Sequence, residues 1–224
     1  SEHYVQITQI GGMTNRNFKV TWSNESYVLR IPGNGTEGMI VRENEDYNSR
    51  LAYQLKITPE IFYLDVQSGV KLVRYIEGAE TLNNATIQYM NHIEKVIMVL
   101  RTLHTSGVRF NNDFNVFKEI EIYEELLGRV KGWMYEGYSE LRPSIFALAD
   151  RLNQLGVTLT PCHNDLVAEN FVKGLDGKIH LIDWEYSGMN DPLWDLAALF
   201  IESSFSEENL QRALFCLLYT SPSP

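Results

Sequence analysis

The first third of the chain alternates apolar and polar residues in short runs, which is the pattern of half-buried β-strands. We predict strands at 4–10, 17–22, 26–31, 60–66 and 70–76, separated by polar or glycine-containing turns. The stretch 36–55 is polar and helix-like, with apolar residues near helical spacing at Met39, Tyr47, Leu51 and Leu55. Together these elements indicate a small antiparallel sheet with one helix.

After residue 78 the apolar residues change to helical spacing. We predict helices over 87–103, 117–130, 144–155 and 193–203. Two short apolar runs, 157–163 and 178–184, flank a group of acidic residues. The predicted fold class is α+β with two lobes. Residues 1–77 form a β-rich lobe and 78–215 a larger, mainly helical lobe, and a cleft between them is a natural ligand site.

The composition is that of an ordinary globular protein, with 44% hydrophobic and 21% charged residues in 224. A net charge of −10 argues against a nucleic-acid surface and suits a cationic substrate. An acidic chain that binds a polyphosphate needs a metal ion to shield it. The two cysteines, Cys162 and Cys216, make no disulfide framework, and no apolar run approaches the ~20 residues of a membrane span. We expect a cytoplasmic protein.

The stretch "HNDLVAENF" (163–171) and the later "IHLIDWEY" (179–186) contain a carboxylate, a carboxamide and a second carboxylate. Phosphoryl transfer needs a base that orients the attacking hydroxyl, and oxygen ligands for Mg²⁺. We predict that Asp165 is the base and that Asn170 and Asp183 are metal ligands. The spacing from Asp165 to Asn170 allows a tight loop to present both side chains to one cavity.

Other interpretations of these residues remain open. Asp165 and Asn170 could cap a turn or a helix. His163 could be a base or metal ligand, or a packed, hydrogen-bonded side chain. A metal hydrolase built on His163, Asp165, Asp183 and Glu185 leaves the β-rich lobe without a role. A nucleophilic pair with Cys162 is disfavoured, because adjacent side chains of an extended segment point to opposite faces.

The strings "HNDLVAEN" and "LIDWEY" resemble the catalytic loop and metal-binding segment of the aminoglycoside phosphotransferase and choline kinase family, which has a protein-kinase-like fold. The string "IDWEYSGMNDPLWDLAALFIES" (182–203) is similar to bacterial choline kinases, and the resemblance extends to about residue 210. It implies a kinase that uses ATP and Mg²⁺ to make phosphocholine, with His163 supporting the loop.

The nucleotide side of the site is predicted from "GGMTNRNF" (11–18), "VLRIPG" (28–33) and "RENE" (42–45), which resemble the family's nucleotide loop, third strand and first helix. The resemblance pairs Arg30 with Glu45, or alternatively with Glu43. An ordinary hairpin turn and a solvated arginine are the competing interpretations. The predicted nucleotide-binding residues are Gly12, Asn15, Asn17, Arg30, Glu45, Arg74, Tyr75 and Ile76.

The acceptor is predicted from a mixture of aromatic and acidic residues after Asp183, which suits a quaternary ammonium. The predicted substrate-binding residues are Trp184, Glu185, Tyr186, Trp194 and Asp195. Aromatic residues in such positions also commonly belong to the core, and the two acids could bind loop backbone. Choline is favoured; ethanolamine, an aminoglycoside and a catalytically silent binding module are the alternatives. The sequence does not indicate an oligomeric state.

The end of the chain, "LLYTSPSP" (217–224), continues no helical period, and its Ser-Pro pairs oppose a helix. We expect residues 216–224 to be a non-native tail. The resembling family has further helices after the one near residue 193, so the helical lobe is expected to be incomplete.

Overall fold

The N-terminal lobe is built on a five-stranded antiparallel sheet, as the alternating pattern predicts. The computed structural model describes residues 5–11, 15–33 and 40–219. The strand order is β1-β2-β3-β5-β4. The strands are β1 (Val5–Gln9), β2 (Arg16–Trp22), β3 (Glu25–Ile31), β4 (Ile61–Leu64) and β5 (Lys71–Arg74). Each predicted run overlaps one of these strands, and β2 and β3 begin one residue earlier than predicted.

One helix, α1 (Arg42–Gln54), follows β3 and contacts β4. The predicted helix began at residue 36, but 34–39 lie outside the described residues. Its buried face is polar rather than apolar. The side chains that it buries are Arg42, Glu45, Asn48, Ser49 and Ala52, whereas Tyr47 is 48% exposed. Leu51 and Leu55 of the predicted apolar spacing pack against the core, but the spacing gave no sign of the polar side chains that the helix buries.

The second lobe is organised around α2 (Met90–His104), whose apolar face is the centre of the core. Further helices are α3 (Val116–Arg129), α4 (Tyr138–Leu155), α5 (Pro192–Glu202) and α6 (Glu207–Tyr219). Two small antiparallel sheets complete the lobe, one with the order β6-β8-β9 and one that pairs β7 with β10. Their strands are β6 (Glu80–Thr81), β7 (Thr160–Cys162), β8 (Phe171–Lys173), β9 (Ile179–Leu181) and β10 (Gly188–Asn190). No helix in the described ranges is long and apolar enough to cross a membrane.

Helices α3 and α4 form a hairpin on the outside of this lobe, and every residue of α3 is at least partly exposed. Helix α4 begins six residues before the predicted start and continues through Pro143. The extra turns are tied to α3, because Tyr138 Oη and Arg142 Nη2 both donate to Glu124, over 2.6 and 2.8 Å. These interhelical bonds stabilise turns that the local sequence disfavours.

The last helix, α6, corrects one prediction. It packs against α2 and continues to Tyr219, three residues into the stretch that was predicted to break the helix. Ala213 and Cys216 point into the core, with exposures of 0% and 7%. Burial of this apolar face against α2 explains why the helix extends further than its local sequence suggests. Residues 220–224 lie outside the described part of the chain.

Candidate active site

A cavity of about 210 Å³ lies between the two lobes. Its wall is mostly aliphatic, and it includes Ile10, Val28, Ile61, Val73, Ile76, Val172 and Ile182. The polar side chains on the wall include Asn17, Arg30, Lys71 and Asp183. An apolar slot with a charged group beside it suits a ligand that has a flat hydrophobic part and an anionic part.

The segment that joins the lobes, 74–76, lines this cavity. The Arg74 and Tyr75 amides donate to the carbonyls of Glu60 and Ser26, over 2.8 and 3.0 Å. The amide of Ile76 has no protein partner among the described residues. The Arg74 side chain is directed at Glu60, 3.0 Å away, so this residue faces the cavity with its backbone.

Six charged side chains form what we call the ion cluster: Arg30, Arg42, Glu45, Lys71, Asp183 and Glu185. Its centre is Glu45, which is fully buried. One carboxylate oxygen, Oε1, lies 2.7 Å from Arg30 Nη2 and 3.1 Å from Lys71 Nζ. The other, Oε2, lies 2.7 Å from Arg42 Nη1. The predicted pairing of Arg30 with Glu45 is present, and Glu43 takes no part in the cluster.

The two guanidinium groups also connect α1 and β3 to the second lobe. Arg30 Nη1 lies 3.0 Å from Asp183 Oδ1, and Arg42 Nη1 lies 3.2 Å from Glu185 Oε2. Burial alone would raise the pKa of Glu45, but Lys71, Arg30 and Arg42 outweigh it and lower that pKa to about 2. Burial and the neighbouring Asp183 raise the pKa of Glu185. The cluster thus holds one firmly ionised acid at its centre.

The loop with the predicted base follows β7 directly. Asp195, in the first turn of α5, is fully buried and holds this loop. It accepts hydrogen bonds from the amides of His163 and Asn164, over 2.9 and 2.8 Å, and it lies 2.9 Å from His104 Nε2. Its position corrects the prediction that Asp195 binds the acceptor and matches the alternative that it binds loop backbone.

Asn164 takes a left-handed backbone conformation, with φ of +67°. Asparagine tolerates this region better than most residues. Its side chain donates to Tyr186 O over 3.0 Å and accepts from Asn190 Nδ2 over 2.9 Å. These bonds turn the chain sharply before Asp165.

His163 is fully buried. Its Nε2 donates to the Ile182 carbonyl over 2.9 Å, and its ring packs edge-on to Trp184 with centroids 4.9 Å apart. This placement fits a histidine that supports the loop rather than a base or metal ligand. Burial also raises the pKa of Cys162, which keeps its thiol protonated and argues further against a Cys–His pair.

The predicted base and the first predicted metal ligand are in contact. Asn170 ends a single 3₁₀ turn, Ala168–Asn170, and its Nδ2 donates to Asp165 O over 2.8 Å and Oδ2 over 3.3 Å. The Ile182 amide donates to Asn170 O over 2.9 Å, which ties this turn to the residue before Asp183. Asp165 and Asn170 are thereby in direct contact, and the backbone of Ile182 connects them to Asp183.

Asp183 lies two residues after β9 in a left-handed conformation, with φ of +66°, and 29% of its side chain is exposed. Because Asn170 Nδ2 donates to Asp165, Oδ1 of Asn170 is the side-chain atom left to accept a hydrogen bond or to bind a metal ion. Asn170 Oδ1 and the Asp183 carboxylate are hard oxygen donors of the kind that Mg²⁺ prefers, so the donor set fits the predicted ion. Among the described residues, the group with close metal-ligand spacing is instead His104, Cys162 and Asp195. The hydrolase set built on His163 does not assemble.

The predicted acceptor residues divide into two groups. Trp184 is 1% exposed, and its Nε1 donates to Leu181 O and Thr58 Oγ1, so it is a core side chain and the prediction that it binds substrate is corrected. Glu185 belongs to the ion cluster. Tyr186 and Trp194 remain partly exposed, and burial together with a hydrogen bond to Tyr123 of α3 raises the pKa of Tyr186.

The predicted nucleotide loop is described in part. Gly12 lies outside the described residues. Asn15 is 5% exposed, and Asn17 exchanges backbone hydrogen bonds with Ile10 and Gly11, over 2.9 and 3.1 Å. Gly11 has φ of +107°, a conformation that favours glycine at this turn.

Four residues of the site were missed by sequence reasoning: Arg42, Lys71, His104 and Asn164. Lys71 occupies a strand position that reads as ordinary alternation, and Arg42 and His104 read as solvated helix ends. Only their partners, which are distant in sequence, reveal their roles. The left-handed conformation of Asn164 had a weak signal, because Asn before Asp is common in turns.

A scan against family models matches residues 6–215 to the choline/ethanolamine kinase model. The chain belongs to the choline/ethanolamine kinase family. It is 38% identical over 209 residues to the protein LicA of Haemophilus influenzae, covering 92% of this chain and 61% of that protein. A second LicA of that species is 39% identical, with 88% of this chain and 73% of the relative covered. The chain therefore spans about two thirds of the curated relatives that it matches first.

Solved structures agree with the family assignment. The choline kinase LicA from Streptococcus pneumoniae superposes with a TM-score of 0.85 at 39% identity, over 95% of this chain and 74% of that one. LicA in complex with AMP matches equally well, with a TM-score of 0.85. The aminoglycoside phosphotransferase APH(2'')-Ib shares the fold at 15% identity, with a TM-score of 0.66 over 96% and 77% of the two chains. The predicted two-lobed, kinase-like α+β fold is confirmed.

Proposed function

We propose that this protein transfers the γ-phosphoryl group of ATP, with Mg²⁺, to the hydroxyl of a small cationic amino alcohol, and that choline is its preferred acceptor. The observation that carries the proposal is the contact of Asp165 with Asn170, which the Ile182 amide ties to a cleft lined by Arg30 and Asp183. A base, two oxygen ligands and a phosphate-binding cation are the parts that such a transfer needs.

The nucleotide base fits the aliphatic part of the cavity. Its edge would accept a hydrogen bond from the free Ile76 amide, and Val28, Val172 and Ile182 offer apolar surface for its faces. The relative solved with AMP supports a nucleotide in this family. Arg30 then lies on the phosphate side of the cavity.

Asn170 and Asp183 would hold the metal ion, which supplies charge neutralisation for the phosphates when it is bound. Asp183 has an exposed fraction large enough for a ligand to reach, and the bond from Asn170 Nδ2 to Asp165 orients the carboxamide. The short connection between these residues keeps the base and both ligands in one geometry.

Asp165 would accept the proton of the acceptor hydroxyl. The hydroxyl oxygen then forms its bond to the γ-phosphorus while the bond from that phosphorus to the β–γ bridging oxygen breaks, and ADP leaves with the electron pair. Asp165 receives a hydrogen bond from a neutral carboxamide rather than an ion pair, so its second oxygen remains available for the proton.

The acceptor proposal rests on charge and on aromatic residues near the base. Tyr186 and Trp194 are partly exposed, and aromatic faces attract quaternary ammonium groups by about 0.5–2 kcal/mol. Ethanolamine is the second candidate, because human ethanolamine kinase 2 is also similar, with 26% identity over 78% of this chain and 46% of its own length. The primary ammonium of ethanolamine donates hydrogen bonds, so its site would need more hydrogen-bond acceptors and fewer aromatic faces than a choline site.

A panel of acceptors tests the proposal. The protein is incubated with ATP and Mg²⁺, and ADP release is measured with choline, ethanolamine or an aminoglycoside, with EDTA in a matched reaction. We expect the highest kcat/KM with choline and loss of turnover with EDTA. A preference for ethanolamine would move the assignment to the second candidate. Absence of ADP release with all three acceptors would contradict the kinase proposal.

A further inference from the structure

Lys71 is a buried cation that the proposed chemistry does not use. It lies on β5 directly opposite Arg30 of β3, so both side chains project from the same face of the sheet. Only 8% of its side chain is exposed, and its Nζ lies 3.1 Å from Glu45 Oε1. The side chain also lines the cavity next to Arg30 and Asp183. A lysine is rarely buried unless an acid pairs with it, and here that acid is already paired twice.

The charges of the ion cluster balance: three cations, Arg30, Arg42 and Lys71, face three carboxylates, Glu45, Asp183 and Glu185. The members do not share their partners equally. Arg30 divides its two terminal nitrogens between Glu45 and Asp183, and Arg42 divides its contacts between Glu45 and Glu185. Lys71 has Glu45 as its one salt-bridge partner within the described residues.

This asymmetry matters when a ligand enters. A cation at Asp183 competes with Arg30 for that carboxylate, and an anionic phosphate attracts the nitrogen that Arg30 then releases. If Arg30 were the only cation at Glu45 Oε1, the same movement would leave that oxygen of a fully buried carboxylate without a cation, which is costly. Lys71 shares the same oxygen, Oε1, and within the described part of the chain it forms its one salt bridge there.

We propose that Lys71 is a positioning residue, which holds Glu45 in place while Arg30 exchanges Asp183 for a nucleotide phosphate. The inference rests on the proposed nucleotide-binding function of this cleft. It assigns Lys71 an action through Glu45 and Arg30 rather than a direct contact with the phosphates. Glu45 then fixes the Nη2 end of the guanidinium, and the Nη1 end is free to change partners.

The test is binding of ADP, measured by calorimetry with and without Mg²⁺, for the parent and for Lys71→Met, which keeps the length of the side chain without its charge. We expect the dissociation constant to rise about tenfold, which corresponds to about 1.4 kcal/mol. Lys71→Arg should recover binding to within about threefold of the parent, because it restores a cation in reach of Glu45. Steady-state kinetics should show a higher KM for ATP and an unchanged KM for choline.

Lys95→Met is the matched control. Lys95 is also a partly buried lysine with one short bond, 2.6 Å from Nζ to the Gly177 carbonyl, but it lies on α2 away from the cluster. Its loss should leave ADP binding unchanged. If Lys71→Met does not fold, Lys71→Gln removes the charge while keeping a hydrogen-bond donor, and the same weakening is expected.

A double-mutant cycle with Glu45→Gln separates the proposed route from a direct one. Because Lys71 acts through Glu45, Lys71→Met should change ADP binding less than about twofold in the Glu45→Gln background. An equal loss in both backgrounds would place Lys71 on the phosphates and overturn the inference. So would parent-like binding by a folded Lys71→Met protein. A parent that does not bind ADP at all would instead contradict the proposed function.

Discussion

The ion cluster and the support of the loop that contains Asp165 are both built around a fully buried acid, Glu45 in one and Asp195 in the other. Glu45 is neutralised by three long, charged side chains from three different elements. Asp195 receives two backbone amides and lies against one imidazole. The first arrangement can exchange partners because its donors are flexible, whereas the second cannot because its donors belong to the main chain.

This difference matches what each region has to do. A site that binds a charged ligand gains from side chains that can change partners without leaving a charge unpaired. A loop that presents a base must hold one conformation, and backbone amides fix the chain itself. In the loop, the left-handed Asn164 is held in place by the Asp195 carboxylate, by Tyr186 O and by Asn190.

The largest expected effect is that of removing Asp165, the proposed base, rather than a residue that supports its loop. Asp165→Ala should lower kcat by roughly 10²–10⁴, the usual contribution of a positioned base, and should change ATP binding little. Glu169→Ala is the matched control, because Glu169 is an exposed acid of the same loop. Steady-state kinetics of both variants give the measurement. Near-normal turnover of Asp165→Ala would remove this residue from the role of base.

The second prediction concerns the rigid region. Asp195→Ala leaves two buried backbone amides without an acceptor, and we expect it to lower the free energy of unfolding by roughly 2–5 kcal/mol. Asp191→Ala, at the N-cap of the same helix, removes only the bond to Leu193 N, 2.9 Å long, and should cost about 1 kcal/mol. Urea denaturation compares the two. Similar losses would show that Asp195 is no more than another helix-end acid.

The smallest effect is the pH dependence of the ion cluster. The pKa of Glu45 is about 2 in the folded protein, below its reference value of 4.5, so its contribution to stability is present above pH 4.5 and is lost as the pH falls towards 2. Between pH 6 and pH 3 the parent should lose on the order of 2 kcal/mol more than Glu45→Gln.

Urea denaturation at the two pH values measures this difference. Glu124→Gln is a control, because the pKa of Glu124 is also lowered, by hydrogen bonds from Arg142 and Tyr138, but in a partly exposed pair. Solvent screens that pair, so its variant should follow the parent more closely. Parallel losses for the parent and Glu45→Gln would mean that Glu45 is not the acid that couples this cluster to pH.

Much of the fold follows from local pattern. Each of the five predicted strands of the first lobe is present, because alternation with turn residues between the runs specifies a hairpin-rich sheet. Helix α2 begins only three residues after its predicted start. The prediction is this close because the apolar face of the helix is continuous. The short strands β6, β8 and β10 were missed, because two or three residues carry too little periodicity to read. Helix α6 was missed because its apolar face gains its stability from packing against α2.

The sequence by itself determined the order of the candidate residues: an acid, a carboxamide and a second acid, and a strand arginine with an acid on the next helix. Tertiary structure decided which neighbours of these residues face a ligand and which support them. Trp184 and Asp195 read as substrate contacts, but one lies in the core and the other under the loop. Burial and hydrogen-bond partners depend on residues far away in the chain, and for that reason no local pattern distinguishes a supporting acid from a reacting one.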